Sequence, residues 1–269
     1  TVEDAEGAAM SDTLIALQGQ TRGARANMLA WRPAPVQIPS LGLPATTGLP
    51  FIDHVIADRF LIPEDIAPHY SEKPLYMPDV YQVCDRQRPV GATPTRASCG
   101  LPEDDFVFCS FNNNYKYTPE MFRAWMRILA QSPGSVLWLL ADNTWAQENM
   151  RREALTRGVE ETRLVFAPRA APEDYLARYA VADLFLDSYP FNGGTTANDA
   201  LWMGCPVLTR SGQTFASRMA GSLLTAAGHR TGDQHVAGLV ADALDQRAQV
   251  GQRGVVGDRR QAQCTEKQR

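Results

Sequence analysis

The feature that most constrains the fold is an alternation of apolar strands and helices between residues 101 and 228. Continuous apolar runs such as FVFCSF and SVLWLL are typical of strands that are buried on both faces of a sheet. The segment TPEMFRAWMRILAQSP between them suits a helix, with Thr118 as its N-cap and Pro119 at its first position. This alternation predicts an α/β fold in which helices cover both faces of a parallel sheet.

The chain before residue 101 carries weaker signals of the same kind. DTLIAL and APVQIPSLG read as buried strands, and the segment ARANMLAWR between them suits a helix. Residues 84–100 are rich in Pro, Gly, Arg and Thr, which is typical of a linker. We therefore expect a first half over 1–83, a linker over 84–100 and a second half over 101–228.

Composition excludes several classes of protein. A formal net charge of −4 gives no general electrostatic reason to bind nucleic acid or an anionic membrane. The five cysteines are widely spaced and form no C-x-x-C pair, so neither a disulfide framework nor a zinc site is indicated. The sequence contains neither a run of about 18 apolar residues nor the pattern of a signal peptide. We expect a cytoplasmic protein without metal or cofactor.

Three polar loops follow predicted strands and should meet at one edge of the sheet. They are SFNNNYK, APRAAPEDY and NGGTTAND. In parallel sheets, ligands bind outside the carboxyl ends of the strands. Lys116 suits a phosphate, the Gly-Gly-Thr-Thr turn offers N–H and hydroxyl donors, and Asp199 can accept from a sugar hydroxyl. A nucleotide diphosphate is the ligand that these groups predict together.

Each of these residues also has a purely structural interpretation. A lysine in a loop is usually solvated, which applies to Lys116. Asn113 can be a turn residue, Thr195 an N-cap, and Asp199 a surface residue of its helix. No Walker-type motif and no G-x-G-x-x-G after a strand occurs, so P-loop hydrolysis and dinucleotide binding are unsupported.

Four stretches, residues 21–48, 70–78, 100–140 and 163–224, resemble the bacterial branch of the O-linked N-acetylglucosamine transferase family. The resemblance runs from about residue 14 to about residue 228. It implies a GT-B fold of two Rossmann-like halves, of which the N-terminal half is incomplete in this chain. It also implies tetratricopeptide repeats ahead of the catalytic region in the full-length parent.

The resemblance assigns roles to residues of the second half. Lys116 matches the lysine that contacts the diphosphate, Asp199 the aspartate that holds the ribose, and Tyr175 replaces a histidine that stacks on the base. Gly194 stands where the animal members have histidine, so that contact is absent here. The remaining matches to nucleotide-sugar contacts are Asn113, Thr195 and Thr196.

Residues of the first half match the stretches that line the sugar and acceptor side. Thr21 and Arg25 belong to a T-x-G-A-R stretch, and the others, in a loop, are Leu41, Gly42 and Pro44. That loop departs from the family pattern of Pro-Gly-Thr, because Ala45 follows Pro44 here.

The resemblance implies an inverting, metal-independent transfer of a sugar, expected to be N-acetylglucosamine, from a UDP-sugar to Ser or Thr of an acceptor protein. Two alternatives stay open: a GDP-fucose-type transferase, and a truncated remnant that binds a nucleotide-sugar without turnover. Residues 229–269 leave the family pattern, and we expect a mobile tail with one amphipathic helix over 235–248.

Overall fold

The computed structural model of the chain describes residues 12–17, 23–42, 45–141 and 143–228. The predicted tail and its helix therefore lie outside the described residues. The chain forms two compact units. The first unit ends at Val83 and also contains Gln213–Arg218, whereas the second runs over Cys84–Gly212 and resumes at Met219.

The first unit contains two small parallel sheets. Strands β1 (Thr13–Ala16) and β2 (Val36–Pro39) form one of them. The other pairs β3 (His54–Ala57) with β4 (Lys73–Tyr76). Strands β1 and β2 lie within the segments DTLIAL and APVQIPSLG, where strands were predicted.

The segment between β1 and β2 forms a helix where one was predicted, and this helix, Ala26–Trp31, is of the 3-10 type. None of its residues is buried, and no side chain caps its first turn. Short helices depend on burying an apolar face, so this segment lacks what an α-helix would need. It ends at Arg32 in the left-handed conformation, with φ at 51°.

The second unit is built on a five-stranded sheet in the order β7-β6-β5-β8-β9, with every neighbouring pair parallel. The bounds of the strands are β5 Phe106–Ser110, β6 Ser135–Leu140, β7 Leu164–Ala167, β8 Leu184–Leu186 and β9 Val207–Leu208. The central strands β5, β6 and β8 are buried along their whole length. The predicted α/β class with a parallel sheet is confirmed.

Five α-helices belong to this unit. They are α1 Pro119–Gln131, α2 Thr144–Thr156, α3 Pro172–Arg178, α4 Thr195–Trp202 and α5 Met219–Ala226. The predicted start of α1 is confirmed, since the Thr118 side chain accepts a hydrogen bond from the Met121 N–H and Pro119 follows the cap. Helix α1 packs Phe122, Trp125 and Leu129 into the core under the sheet.

The strand order places a topological switch point between β5 and β8. From β5 the chain continues to β6 on one side of the sheet, whereas β8 continues to β9 on the other. The loops that leave the carboxyl ends of β5 and β8 therefore diverge and open a crevice, which is where such sheets bind ligands.

In the described part of the chain, none of the helices has the length and apolar character needed to cross a membrane.

Candidate functional site

A buried polar network occupies the switch point. Asn112 follows β5 and Asp187 follows β8, and their exposed fractions are 1% and 3%. The Asn112 Nδ2 atom donates to Asp187 Oδ1 at 3.1 Å and to Ser188 Oγ at 2.9 Å. The Asn112 Oδ1 atom accepts from the Thr196 hydroxyl at 2.6 Å. One asparagine thus ties the end of β5 to the loop after β8 and to the first turn of α4.

Asp187 organises the loop that leads into α4. Its Oδ1 atom accepts from the Gly193 N–H at 2.7 Å and from the Ser188 N–H at 2.8 Å, and its Oδ2 atom accepts from the Thr209 hydroxyl at 2.7 Å. Burial raises the pKa of Asp187 to about 6, although these hydrogen bonds lower it. A Cβ atom at Gly193 would collide with the Thr196 hydroxyl oxygen and lie 3.1 Å from Asp187 Oδ1 and from Asn112 Oδ1. This close approach requires glycine at position 193.

Lys116 ends a 3-10 turn, Asn114–Lys116, that follows β5. Its Nζ atom donates to the Asn192 carbonyl oxygen at 2.9 Å and lies 4.1 Å from the centroid of the Phe191 ring. Burial lowers the pKa of Lys116 to about 8, while the Asp187 charge raises it. The lysine is therefore half-buried against the Gly-Gly-Thr-Thr loop rather than solvated, which corrects the structural interpretation.

The threonine pair stands at the start of α4. Gly194 is the N-cap, so Thr195 is the first helical residue, and the alternative of an N-cap at Thr195 is wrong. The Thr195 side chain is exposed, whereas the Thr196 hydroxyl is used by Asn112. The N–H groups of the first turn of a helix have no acceptor within the helix, and the positive end of its dipole lies there. Together with Lys116 they form an anion-binding arrangement.

Tyr175 lies on α3 and is half-buried. Its hydroxyl is 2.6 Å from the hydroxyl of Tyr179, which in turn donates to the Thr196 carbonyl oxygen at 3.1 Å. Its ring meets the Tyr179 and Phe111 rings edge to face. Burial raises the pKa of Tyr175, so its hydroxyl stays protonated. These contacts fix the ring beside the first turn of α4.

Asp199 is a buried residue of α4 and pairs with Arg88. The alternative that Asp199 is a surface residue is therefore wrong. Burial raises the pKa of Asp199, while the hydrogen bond and charge of Arg88 lower it. Asn113 lies at the other side of the site, where its Oδ1 atom accepts from Arg169 of the β7–α3 loop at 3.2 Å. The structure thus brings all the predicted residues of the second half to one edge of the sheet.

The predicted residues of the first half belong to the other unit. Arg25 is exposed and lines a cavity of about 190 Å³ together with Thr47 and Leu49. Leu41 adopts a left-handed conformation with φ at 60°, and the Gly42 N–H donates to the Ser40 carbonyl oxygen at 2.8 Å. Thr21 and Pro44 lie outside the described residues.

Sequence reasoning missed the residues that hold the site together. Asn112 stands beside the predicted Asn113, yet the strand register buries the first of the two. Asp187 and Asn192 follow β8 and precede the glycines, so a buried acid directly after a strand was the available signal. Arg88 lies in the predicted linker, where nothing in the sequence pointed to a site.

Metal ligands are not gathered at this edge. Within the four described ranges, no three His, Cys, Asp or Glu side chains are grouped so that they could hold an ion.

Comparison with known proteins matches most of the chain to the family that the sequence resembles. The family model described as Glycosyl transferase family 41 matches residues 6–92 and 89–254. A relative from Arabidopsis thaliana, the probable UDP-N-acetylglucosamine–peptide N-acetylglucosaminyltransferase SEC, is 38% identical over 221 residues. That match covers 80% of this chain and 23% of the relative. The probable transferase SPINDLY of the same plant is 34% identical, with 81% of this chain and 24% of the relative covered.

A solved structure of a mutant O-GlcNAc transferase from Thermobaculum terrenum superposes with a TM-score of 0.74 at 30% identity. The superposition covers 88% of this chain and 48% of that one. It confirms the predicted α/β fold of GT-B type. The chain spans about a quarter of the length of the curated relatives it matches. On the extent of the family match and the identity to these relatives, the chain belongs to glycosyltransferase family 41.

Proposed function

We propose that the chain carries the donor site of a transferase that moves N-acetylglucosamine from UDP to Ser or Thr of an acceptor protein. The observation that carries this proposal is the position of Lys116. Its cation lies half-buried at the switch point, against the loop that leads into the first turn of α4. A diphosphate placed there meets a lysine, the exposed Thr195 hydroxyl and the N–H groups of a helix N-terminus.

The same residues supply the chemistry of the transfer. As the acceptor hydroxyl oxygen bonds to C1 of the sugar and its proton passes to water or to the departing diphosphate, the bond from C1 to the diphosphate oxygen breaks and the diphosphate leaves with the electron pair. Lys116 and the α4 N-terminus stabilise the negative charge that develops on the leaving group. A direct displacement of this kind inverts the configuration at C1. Because these donors neutralise the diphosphate, the proposed reaction uses no metal.

The nucleoside and sugar ends of the donor are assigned from the remaining residues. The Tyr175 ring stacks on the base, the Asp199 carboxylate accepts from the ribose, and Asn113 contacts the nucleotide-sugar. Gly194 supplies backbone at this site and no side chain. Arg25, Leu41 and Gly42, with Thr21 and Pro44, are assigned to the sugar and acceptor side. The name of the plant relative supports UDP-N-acetylglucosamine as the donor and a peptide as the acceptor, and the name of the bacterial one supports the transfer of O-linked N-acetylglucosamine.

Calorimetric titration of the full chain with UDP, GDP and UDP-N-acetylglucosamine tests the proposal. We expect UDP and UDP-N-acetylglucosamine to bind and GDP to bind at least tenfold more weakly. A transfer assay with radiolabelled UDP-N-acetylglucosamine and a mixture of acceptor proteins then separates catalysis from binding. Tighter binding of GDP would contradict the UDP donor, and UDP binding without transfer would reduce the role of this chain to donor binding.

A further inference from the structure

The segment 84–91 lies across the nucleoside end of the site, entirely within the second unit. The Asn198 Nδ2 atom donates to Cys84 Sγ at 3.4 Å, and the Gly91 N–H donates to the Glu173 carbonyl oxygen at 3.0 Å. A Cβ atom at Gly91 would lie 2.7 Å from Asp174 Oδ1. The segment is therefore held against both α3 and α4, the helices that carry Tyr175 and Asp199.

Arg88 is the central side chain of this segment. Its Nη1 atom pairs with Asp199 Oδ1, and its guanidinium lies 5.0 Å from the centroid of the Trp202 ring on the same helix. The exposed fractions of the Arg88 and Asp199 side chains are 19% and 5%. One carboxylate oxygen of Asp199 takes the arginine, which leaves Oδ2 for a second donor.

The Arg88 guanidinium is incompletely satisfied. Its Nε and Nη2 atoms are buried, and neither has a hydrogen-bond partner in the part of the chain that the structure describes. Buried donors of a charged group without partners are costly, because they have lost water and gained nothing in exchange. A pair that served packing alone would be expected to satisfy these donors.

Another arginine of the same unit shows what a satisfied pair looks like. The Arg96 Nη2 atom pairs with Asp183 Oδ2 at 2.8 Å, and its Nη1 atom donates to the carbonyl oxygens of Glu103 and Asp105. This pair precedes β5 and β8, at the opposite edge of the sheet from the candidate site.

We propose that Arg88 is a positioning residue for the nucleotide, which holds the Asp199 carboxylate ionised and oriented so that its free oxygen accepts a ribose hydroxyl. The inference rests on the proposed function. Asp199 is buried, so without a cation beside it the carboxylate would favour its protonated form and lose acceptor capacity. The charges of Asp199 and Arg88 both act on the Tyr175 hydroxyl, which places the pair at the same end of the site as the ring assigned to the base.

The test compares UDP with 2′,3′-dideoxy-UDP, which lacks both ribose hydroxyls, by calorimetric titration of the full chain. In the wild type we expect UDP to bind at least tenfold more tightly than the dideoxy analogue, because a hydrogen bond to a charged group is lost. Arg88→Met keeps an apolar stem over Trp202 and removes the charge. It is expected to weaken UDP binding about tenfold and dideoxy-UDP binding less than twofold, as Asp199→Asn should also do.

Arg96→Met is the matched control, since it removes an arginine from an ion pair of the same unit away from the site. It is expected to keep the wild-type ratio of the two affinities. Should Arg88→Met not fold, Arg88→Gln takes its place, since it keeps a polar side chain but removes the charge, and it is expected to reduce the ratio at least threefold.

The outcomes separate the inference from the proposed function. Absence of UDP binding by the wild type contradicts the proposed function. If the wild type binds UDP and discriminates against the dideoxy analogue, an unchanged ratio in the Arg88 variants overturns the role of Arg88. UDP binding without discrimination in the wild type overturns the ribose contact itself and leaves diphosphate binding intact.

Discussion

The two edges of the five-stranded sheet differ in how fully their charged and polar side chains are hydrogen-bonded. At the amino-terminal edge, Arg163 donates to the carbonyl oxygens of Leu129, Ser132 and Ser135 and to the Ser135 hydroxyl, each at 2.8 Å. Arg96 likewise joins Asp183 to two carbonyl oxygens. These arginines tie helix ends and strand starts together, so their charge contributes to stability.

At the carboxyl-terminal edge, several buried polar atoms have no partner in the described residues. They belong to Arg88, Ser110, Asn114 and Asn192, with Arg157 Nε as a counterexample towards the opposite edge. Lys116 makes one hydrogen bond there, although an ammonium group has three donors. In the described part of the second unit, most of the buried polar atoms without a partner therefore lie at the carboxyl-terminal edge, and the others are Nε of Arg157 and Nε1 of Trp125 and Trp138.

The largest expected effect is on stability and comes from a substitution at the amino-terminal edge. Arg96→Met leaves Asp183 half-buried without its cation, so we expect the free energy of unfolding to fall by about 3 kcal/mol. Urea denaturation measures this change. The affinity for UDP of the folded protein should stay within twofold of wild type, and a tenfold loss would show that the two edges are not separable.

Lys116→Ala, at the carboxyl-terminal edge, should weaken ligand binding and leave stability nearly unchanged. Removing a charged hydrogen bond to the diphosphate should weaken UDP binding by about 1.5 to 3 kcal/mol. The change in Tm should be small, because the cost of burying the Lys116 cation offsets its hydrogen bond to the Asn192 carbonyl oxygen. Calorimetry and thermal unfolding measure the two quantities. Lys73→Ala, at an exposed lysine of the first unit, is the control and should bind UDP normally; equal affinities of wild type and Lys116→Ala would remove the diphosphate role.

The pKa of Lys116 gives a smaller, graded effect. Burial lowers this pKa to about 8, so in the free protein the cation is present below pH 8 and is lost as the pH rises above it. UDP affinity should therefore decrease above pH 8 by up to about tenfold per pH unit. Lys116→Arg keeps its charge throughout this range and should give a flat profile. A wild-type profile as flat as that of the arginine variant would argue against a titrating Lys116.

The smallest expected effect concerns metal. Since no cluster of metal-ligating side chains occurs in the described residues, EDTA should leave the affinity for UDP unchanged. Repeating the titration with added magnesium or manganese checks this expectation from the other side. A requirement for either ion would show that protein donors alone do not neutralise the diphosphate.

The class of the fold could be predicted because each buried strand of the second unit is a continuous apolar run, and because Thr118 and Pro119 mark the start of a helix. The strand order could not, since pairing of β5 with β8 depends on contacts far apart in sequence. The helix in ARANMLAWR was predicted but its 3-10 type was not, because local apolar spacing does not show whether a face will be buried.

The candidate site was predictable where its residues stand in loops directly after strands, as Lys116 and Thr195 do. Its supporting residue Asn112 was not, because Asn112 becomes a partner of the predicted Thr196 only when β5 and α4 are brought together. Arg88 shows the same limit. It lies 111 residues from Asp199 in the sequence, in a segment whose composition indicates a linker.

The central claim is that the carboxyl-terminal edge of this sheet binds a nucleotide diphosphate through Lys116 and the first turn of α4. A crystal structure of the chain with UDP tests it most directly. We expect the diphosphate within about 3 Å of Lys116 Nζ and of the N–H groups of Thr195 and Thr196, with the ribose against Asp199. Density for UDP elsewhere on the second unit, with Lys116 still bonded to Asn192 alone, would contradict the account.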